Sequence, residues 1–437
     1  MLKQYFKQAW QLIKQNKLFS SIYVAGTALG ISMVMVLAIL NHIKTANIYP
    51  EYNRNRMMYA QTISMIPMDT ARFKYTNSGS LSFKAARLLF MPLKTPEKIS
   101  VMRSGSNFVS LPNDDNLLNV KSRFVDTNYW DIFNFHFLSG KPFSDADFQS
   151  GLQVAVITVS LAKEIFSSTD VVGQYLEYGF KPYRIAGVVK DVSYLMNETY
   201  ARIWIPYTCI KDYDKEWPER GGMIGSVHAV YLLVHSPSDF EAIRAEVNEN
   251  VRRYNAQATD WKADLMGQPD IQSVKIHRLW ANEGPDMRKI QIQNWLVIFL
   301  LLLVPALNLS GMNSTRMERR LGEMGVRKAF GASRSKLINQ ILTENLLLTG
   351  IGGLSGLILS YLILFFTRNW ILDIGTQYSG SLPEGTTVDF SATMLFNGKI
   401  FLIVLLVCLV MNILSALIPV YRSLRKQITD SIYIKYN

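Results

Sequence analysis

Residues able to do acid–base, nucleophilic or metal chemistry are few in this sequence and widely scattered. The five histidines, at 42, 136, 228, 235 and 277, include no pair at a chelating spacing, and the two cysteines, Cys209 and Cys408, are far apart. Asp145 and Asp147 lie in a Ser-Asp-Ala-Asp run, which favours a helix cap or a solvated loop over a cation site. The G-x-x-x-x-G-K-[ST], H-E-x-x-H and G-x-S-x-G motifs are absent. The sequence therefore predicts no catalytic residues, no metal site and no enzyme activity in this chain.

The segment 315–337 is the one place where charged residues recur in an ordered pattern. Arg320, Glu323, Arg327 and Lys328 lie on a predicted helix, followed by Gly331 as a helix stop and Ser333 as a helix cap. A short helix that carries both charge signs suits docking to a soluble partner. Contact with lipid headgroups is the alternative that composition alone allows.

Four stretches of the chain contain no Asp, Glu, Lys or Arg: 18–43, 290–314, 345–367 and 400–421. About 20 apolar residues span the hydrocarbon core of a bilayer, and the backbone must be helical there. Buried core helices of a large soluble protein are the alternative, but runs this long without charge favour transmembrane helices. The first run exceeds the 7–15 apolar residues of a cleaved signal peptide, so we expect it to remain as an anchor.

The charge distribution gives the orientation. Segments 1–17, 315–337 and 422–437 carry net charges of +4, +5 and +3, which account for the entire net charge of +12. The positive-inside rule places these three segments in the cytoplasm. The basic excess is therefore a topology signal, and no nucleic-acid partner is expected. The fold class predicted is an α-helical membrane protein with four transmembrane helices and a large α+β extracytoplasmic domain inserted between helices 1 and 2.

The predicted layout assigns every part of the chain. The amphipathic segment at the N-terminus has an aromatic face opposite a lysine face, which favours the membrane surface over a protein partner. The parts are 1–17 (cytoplasmic amphipathic helix), 18–43 (transmembrane helix 1), 44–289 (extracytoplasmic core domain), 290–314 (helix 2), 315–337 (cytoplasmic coupling loop), 338–367 (helix 3), 368–398 (short external loop), 399–421 (helix 4) and 422–437 (cytoplasmic tail).

Local patterns add detail inside these parts. Runs rich in Val, Ile and aromatic residues predict strands, and 160–166 predicts a short helix. Ser238–Glu241 reads as a capping box that opens a helix through about Tyr254. Two G-x-x-x-G pairs predict close helix packing within the membrane. The strand runs are 153–159, 183–192, 201–207 and 229–235, and the glycine pairs are Gly26 with Gly30 and Gly352 with Gly356.

Two elements resemble a known family. Residues 320–333 resemble the R-x-x-E-I-G-x-R-K-A-x-G-A-S signature of the MacB/FtsX-like permeases of the type VII ABC transporter superfamily, with Met324 where isoleucine is usual. Phe124–Phe143 resembles an aromatic element of the MacB-type periplasmic core domain, with Lys141 in place of the commoner arginine. The matching residues are Arg320, Glu323, Gly325, Arg327, Lys328, Ala329, Gly331, Ala332 and Ser333, and Trp130, Phe133, Phe135, Phe137, Gly140, Pro142 and Phe143.

The resemblance implies a permease subunit in the bacterial inner membrane, with both termini cytoplasmic and the large domain periplasmic. Permeases of this family are similar in working as dimers, in which each permease pairs with a second one, identical or paralogous. Two ATPase subunits that bind ATP and Mg dock below the pair. Because the first apolar run begins near residue 18, we expect the ATPase to be a separate chain. The residues implied to couple to it are Arg320, Glu323, Gly325, Arg327, Lys328, Gly331, Ala332 and Ser333.

Three functions follow from these expectations. The first is export or efflux of peptides, toxins or lipoproteins by mechanotransmission, with a periplasmic adaptor and an outer-membrane channel as further candidate partners. The second is an FtsX-type transmitter that regulates a cell-wall hydrolase, although such chains usually carry a much smaller external domain than residues 44–289. The third, a membrane sensor, is disfavoured because the cytoplasmic segments are too short for a signalling domain.

Overall fold

This computed structural model describes residues 10–11, 14–15, 17–112, 116–215, 219–280, 283–301, 303, 330, 334–367, 392–395 and 397–425. Two compact units divide the chain. One contains Ile43–Met287, and the other contains the helical segments that precede residue 43 and follow residue 287.

The helices fall into two groups by length. The longest helices, α1, α9 and α11, lie wholly or mostly in the helical unit, and the longest helix of the domain formed by Ile43–Met287 is α6 with 18 residues. A π-helical turn, Ala86–Phe90, continues α2. The helices are α1 (Lys17–Thr45), α2 (Phe83–Ala85), α3 (Asn128–Ile132), α4 (Asp145–Gln149), α5 (Val159–Phe166), α6 (Phe240–Gln257), α7 (Gln272–Lys275), α8 (287–301), α9 (Arg334–Phe366), α10 (Ala392–Leu395) and α11 (Gly398–Arg425).

Two sheets form the domain. The larger sheet runs β13-β1-β11-β4-β5-β10-β7-β9-β6, and β8 pairs with both β4 and β9. The smaller sheet runs β12-β2-β3. The strands are β1 (Met57–Ala60), β2 (Thr62–Pro67), β3 (Asn77–Ser80), β4 (Lys98–Ser110), β5 (Leu118–Val125), β6 (Phe137–Gly140), β7 (Val154–Thr158), β8 (Tyr175–Tyr178), β9 (Lys181–Val189), β10 (Ile203–Pro206), β11 (Ala229–Leu233), β12 (Trp261–Asp264) and β13 (Asp270–Ile271).

The strands predicted from apolar runs are confirmed as β7, β9, β10 and β11. Three of them, β7, β10 and β11, are buried along their whole length, which explains why their sequences are continuous apolar runs. β10 runs parallel to β5, and β7 runs parallel to β9. The predicted helix at 160–166 is confirmed as α5, whose Thr158 cap accepts a bond from the Leu161 amide.

The predicted capping box at Ser238–Glu241 is wrong by two residues. The reciprocal pair is Ser236 with Asp239, around a 3-10 turn that begins at Pro237 and leads into α6. Proline fits the first helical position because it has no amide hydrogen to satisfy, so the capped turn begins at Pro237 and α6 follows from Phe240. At Asp145 and Asp147 the helix cap is confirmed, since Ser144 and Asp147 form a capping box for α4.

The aromatic element at Phe124–Phe143 forms part of the core. The Trp130 ring makes edge contacts with Phe135, Phe137 and Phe143 at centroid distances of 5.2 to 5.6 Å. Gly140 ends β6 with φ +67°, and a Cβ there would lie 2.2 Å from the Ala186 carbonyl oxygen. Because no side chain fits at that distance, the glycine of the motif is required by packing.

In the helical unit, α1, α9 and α11 begin and end near the predicted boundaries of helices 1, 3 and 4. Among the described residues, two helical stretches, Ser20–Thr45 and Leu342–Phe366, are long and apolar enough to cross a membrane, and Gly398–Leu414 is a shorter apolar stretch. Residues 304–314 of predicted helix 2 lie outside the described part of the chain. The count of four spans therefore stays a prediction.

Candidate functional site

Side chains of the domain formed by Ile43–Met287 bind backbone carbonyls at the end of α1. The final carbonyls of any helix lack intrahelical partners. The Arg54 guanidinium donates to the Ile43 carbonyl at 2.6 Å and to the Ala46 carbonyl at 3.0 Å. A cation at a helix C-terminus is also stabilised by the helix dipole. Arg54 therefore holds the end of α1 to the domain.

Arg54 is itself held by a buried carboxylate. Its Nε lies 2.7 Å from Glu51 Oε2, and neither side chain is more than 3% exposed. The other Glu51 oxygen accepts a hydrogen bond of 2.8 Å from the Thr199 hydroxyl. This bond crosses 148 residues of sequence and connects the end of α1 to the segment between β9 and β10.

The neighbour of Thr199 makes the second buried ion pair. Glu198 accepts from Lys275 of α7 on one oxygen and from the Tyr231 hydroxyl at 2.8 Å on the other. Burial acts to raise the pKa of the Glu198 carboxyl, but Lys275 and the other donors outweigh it and lower that pKa below its usual value. Burial and the nearby Glu198 charge raise the pKa of Tyr231 well above its usual value, which keeps the hydroxyl a donor.

A further residue of α7 binds back to the last turn of α1. The Gln272 amide donates to the Lys44 carbonyl at 2.5 Å, again in the last turn of α1. Bonds and short stretches of chain thus lead from the end of α1 through the two ion pairs to α7 and back to α1. We call this set the junction network. Its members are Glu51, Arg54, Glu198, Thr199, Gln272 and Lys275, all within Ile43–Met287.

The segment that leads from α7, which carries two members of the junction network, to α8 is also bound to the domain. Just past α7, Arg278 makes a bidentate pair with Asp270 of β13, with N–O distances of 2.5 and 3.0 Å. The same guanidinium donates to the Met266 carbonyl at 3.0 Å. Two parallel bonds fix both direction and distance, so this pair anchors the segment that leads to α8. The segments that enter and leave the domain are therefore bound to the same core.

The network is balanced in charge, and the side chains of its two ion pairs are at most 10% exposed. Its two acids and two bases pair one to one, and the carboxylates make further hydrogen bonds. Breaking a buried pair by removing one partner costs about 3–5 kcal/mol because the other charge stays buried. An arrangement of this kind can hold the end of a helix in one geometry and transmit its displacement.

In the helical unit, two of the four predicted packing glycines lie against α1. A Cβ at Gly352 would lie 2.8 Å from the Thr27 Cβ, and one at Gly356 would lie 2.8 Å from the Ala28 carbonyl oxygen. Gly30 is buried, whereas a Cβ at Gly26 would meet no heavy atom within 4 Å among the described residues. The contact surface on α9 therefore requires small residues.

Polar side chains join the same helices. The Asn412 amide of α11 donates to the Thr349 hydroxyl of α9 at 3.0 Å, and both residues are buried. Near the other end of α11, the Asn397 amide lies 3.4 Å from the His42 ring of α1. Hydrogen bonds between apolar helices contribute to their association where no water competes.

The residues predicted to couple to an ATPase lie outside the described part of the chain. They are Arg320, Glu323, Gly325, Arg327, Lys328, Gly331, Ala332 and Ser333. Sequence reasoning did not single out the junction network. Two local signals were available. Glu51 and Arg54 are spaced by three residues shortly after the first apolar stretch, and two basic residues, Lys275 and Arg278, precede the second apolar stretch, 290–314.

Comparison with known families identifies the class of protein that the fold and the sequence patterns indicate. A family model described as MacB-like periplasmic core domain matches residues 20–250, more than half of the chain. A second, described as FtsX-like permease C-terminal, matches residues 295–428. The chain belongs to the MacB/FtsX-like family of ABC transporter permeases.

Individual relatives are distant. The uncharacterized ABC transporter permease YknZ of Bacillus subtilis (strain 168) is 24% identical over 240 residues, which cover 54% of this chain and 55% of YknZ. The macrolide export ATP-binding/permease protein MacB of Escherichia coli (strain K12) is 22% identical over 375 residues, which cover 82% of this chain and 52% of MacB. The chain therefore spans about half the length of the curated relatives it matches.

Solved structures of external domains are also similar. The extracellular domain of YknZ from Gram-positive bacteria matches at 15% identity with a TM-score of 0.34, covering 46% of this chain and 99% of that domain. The periplasmic region of MacB from Actinobacillus actinomycetemcomitans matches at 16% identity with a TM-score of 0.34, covering 50% of this chain and 94% of that region.

Proposed function

We propose that this chain is the permease subunit of an ABC transporter that works by mechanotransmission. ATP binding and hydrolysis by a separate cytoplasmic ATPase move its extracytoplasmic domain, and this movement drives export or efflux of peptides, toxins or lipoproteins. The observation that carries the proposal is the junction network. It binds the last turn of α1 to the domain core through buried ion pairs, so that a displacement of α1 is passed to the domain.

The proposal includes the layout predicted from the sequence. Four membrane helices, at 18–43, 290–314, 338–367 and 399–421, place both termini and the coupling loop 315–337 in the cytoplasm of an inner membrane. The large domain is then periplasmic. Support comes from the charge distribution and from the long apolar helices α1 and α9.

The coupling loop is proposed as the ATPase contact. Glu323 offers a negative charge and Arg320, Arg327 and Lys328 offer positive ones, so the loop can pair with a surface of mixed sign. ATP and Mg are held by the ATPase, and this chain supplies no cofactor ligands. The other proposed partners are membrane lipid and a second permease, identical or paralogous, and an adaptor and an outer-membrane channel would extend the assembly.

Docking of the ATPase is tested by affinity purification from gently solubilised native membranes. We expect a stoichiometric ATP-binding subunit to co-purify with the unaltered chain. The double reversal Glu323→Arg with Arg327→Glu keeps the net charge of the loop and should abolish that recovery. The matched control, Arg425→Glu with Asp430→Arg, makes the same exchange in the cytoplasmic tail and should leave recovery unchanged.

Two outcomes would contradict the proposal. One is the absence of an ATP-binding subunit while the chain stays dimeric, and the other is full recovery of the ATPase by the loop variant. Recovery of a cell-wall hydrolase in place of an adaptor or outer-membrane channel would favour the FtsX-type alternative. That alternative uses the same membrane-to-domain coupling but a different envelope partner.

A further inference from the structure

A groove in the domain lies apart from the junction network and has no role in the function proposed above. It has a volume of about 1060 Å³. The β2–β3 connection forms one wall, α2 and its π turn form another, and the end of α6 with the start of β12 forms the third. The side chains that line it include Arg72, Phe73, Lys74, Tyr75, Lys84 and Trp261.

Aromatic rings form the apolar part of the groove. The rings of Phe73 and Trp261 pack at a centroid distance of 4.8 Å with an interplanar angle of 44°. Trp261 is 7% exposed and fixes the floor, whereas Tyr75 is 78% exposed and presents its ring to solvent. Leu88 adds an aliphatic surface that is 42% exposed. Large exposed apolar side chains gathered in one concavity are typical of a binding site.

The polar part of the groove is basic. Arg72, Lys74 and Lys84 line it, and Asp260 is the single acidic residue among the described lining residues. The Asp260 carboxylate lies 3.6 Å from the Arg72 guanidinium, so the negative charge of Asp260 is offset by the positive charge of Arg72. The Arg72 guanidinium also lies 5.0 Å from the centre of the Phe73 ring. The groove thus combines a positive potential with accessible aromatic faces.

We propose that this groove binds an organic anion with an aromatic body. A carboxylate, sulfonate or phosphate group would pair with the lysine and arginine side chains, since charge-assisted hydrogen bonds are the stronger ones. The aromatic body would stack against Tyr75 and the Phe73–Trp261 pair. The volume is close to the upper end for pockets that hold small ligands, which favours a small molecule as occupant. Binding requires neither an ATPase nor a second permease.

The test uses the full chain in nanodiscs of uncharged phosphatidylcholine. The probes are naphthalene-2-sulfonate and its uncharged analogue naphthalene-2-sulfonamide, measured by saturation-transfer difference NMR. We expect the sulfonate to bind at least about tenfold more tightly than the sulfonamide, with an affinity that falls as salt rises. The variant Lys74→Glu with Lys84→Gln should weaken sulfonate binding about tenfold. Tyr75→Ser should weaken both probes, because it removes the exposed ring.

A matched control isolates the groove from the overall charge. Lys163→Glu with Lys181→Gln changes the net charge equally at exposed positions on α5 and β9, and it should leave binding unchanged. Equal affinity for the two probes, equal loss in the control and groove variants, or no binding at millimolar probe would overturn the proposal. ATPase co-purification is independent of this measurement, so failure here is distinct from failure of the transport proposal.

Discussion

At the scale of residues, two arginines of one short turn differ in how much their ion pairs stabilise the fold. Arg54 is buried with Glu51, whereas Arg56 pairs with Glu97 at about one-third exposure for each side chain. A buried pair cannot lose one partner without leaving a charge in a medium of low dielectric. An exposed pair loses little, because water solvates whichever charge remains.

Arg54→Met is therefore expected to lower the free energy of unfolding by about 3–5 kcal/mol. The control Arg56→Met removes the same guanidinium two residues away and should cost about 1 kcal/mol or less. Differential scanning fluorimetry of the purified full chain measures both. Equal shifts in unfolding temperature would show that Glu51 is solvated and that the junction network is not closed to water.

Asp126 provides a pH-dependent contribution at the same scale. It is buried and accepts bonds from the Ser100 hydroxyl at 2.7 Å and the Val101 amide at 2.8 Å. Burial raises its pKa to about 6, although these donors act to lower it. Since this folded value exceeds the roughly 3.9 of an unfolded aspartate, the folded state binds the proton more tightly. The stabilising contribution is then complete below about pH 4 and is lost as the pH rises through about 6.

The variant Asp126→Asn removes that titration. We expect its stability deficit relative to the unaltered chain to be largest near pH 4 and to shrink above pH 6. Urea unfolding of the full chain at pH 4, 5, 6 and 7 gives the comparison. Asp131→Asn, at a more exposed carboxylate paired with Lys98, is the control for the substitution itself and should cost about 1 kcal/mol or less. A constant deficit for Asp126→Asn would contradict the raised pKa.

At the scale of elements, the sequence predicts what depends on neighbouring residues and misses what depends on distant ones. β7, β10 and β11 are evident as apolar runs because each is buried on both faces. The capping pair ahead of α6 is predicted two residues too late, because two overlapping Ser-containing patterns compete there and Pro237 decides between them, whereas α6 itself begins at Phe240 as the pattern predicts. Only the Glu51–Arg54 pair of the junction network is local, and the other members cannot be found from a local pattern because their bonds join residues as far as 148 and 228 positions apart.

Glycine packing between α9 and α1 gives a prediction for helix association. Gly352→Ala places a Cβ 2.8 Å from the Thr27 side chain and should destabilise the helix pair by about 1–3 kcal/mol. Gly350→Ala, two residues earlier, meets no heavy atom within 4 Å among the described residues and should be neutral or stabilising, because alanine favours the helix. Thermal stability of the two variants in detergent measures the difference. The same shift for both would mean that α9 does not pack on α1 through this face.

At the scale of the whole molecule, the junction network decides whether a movement of α1 would be passed to the domain. α1 is one continuous helix from Lys17 to Thr45, and its last turn belongs to the unit that contains the domain. Arg54 and Gln272 bind carbonyls at the end of α1 from two separate segments of the domain, so that turn is held at more than one point. A helix joined only by a flexible linker would not transmit its movement.

Thr199→Val with Gln272→Leu opens the junction network at two points without changing any charge. In the complex with its ATPase, we expect this variant to retain ATPase binding and hydrolysis while losing the ATP-dependent movement of the domains. The movement is measured as a distance change between spin labels at Lys181→Cys on two permeases, after replacement of Cys209 and Cys408 by serine. The control, Gln174→Leu with Thr208→Val, removes comparable polar contacts elsewhere in the domain and should keep the distance change. An unchanged response in the junction variant would show that α1 moves the domain by another route, whereas loss of ATPase binding would place the defect at the coupling loop.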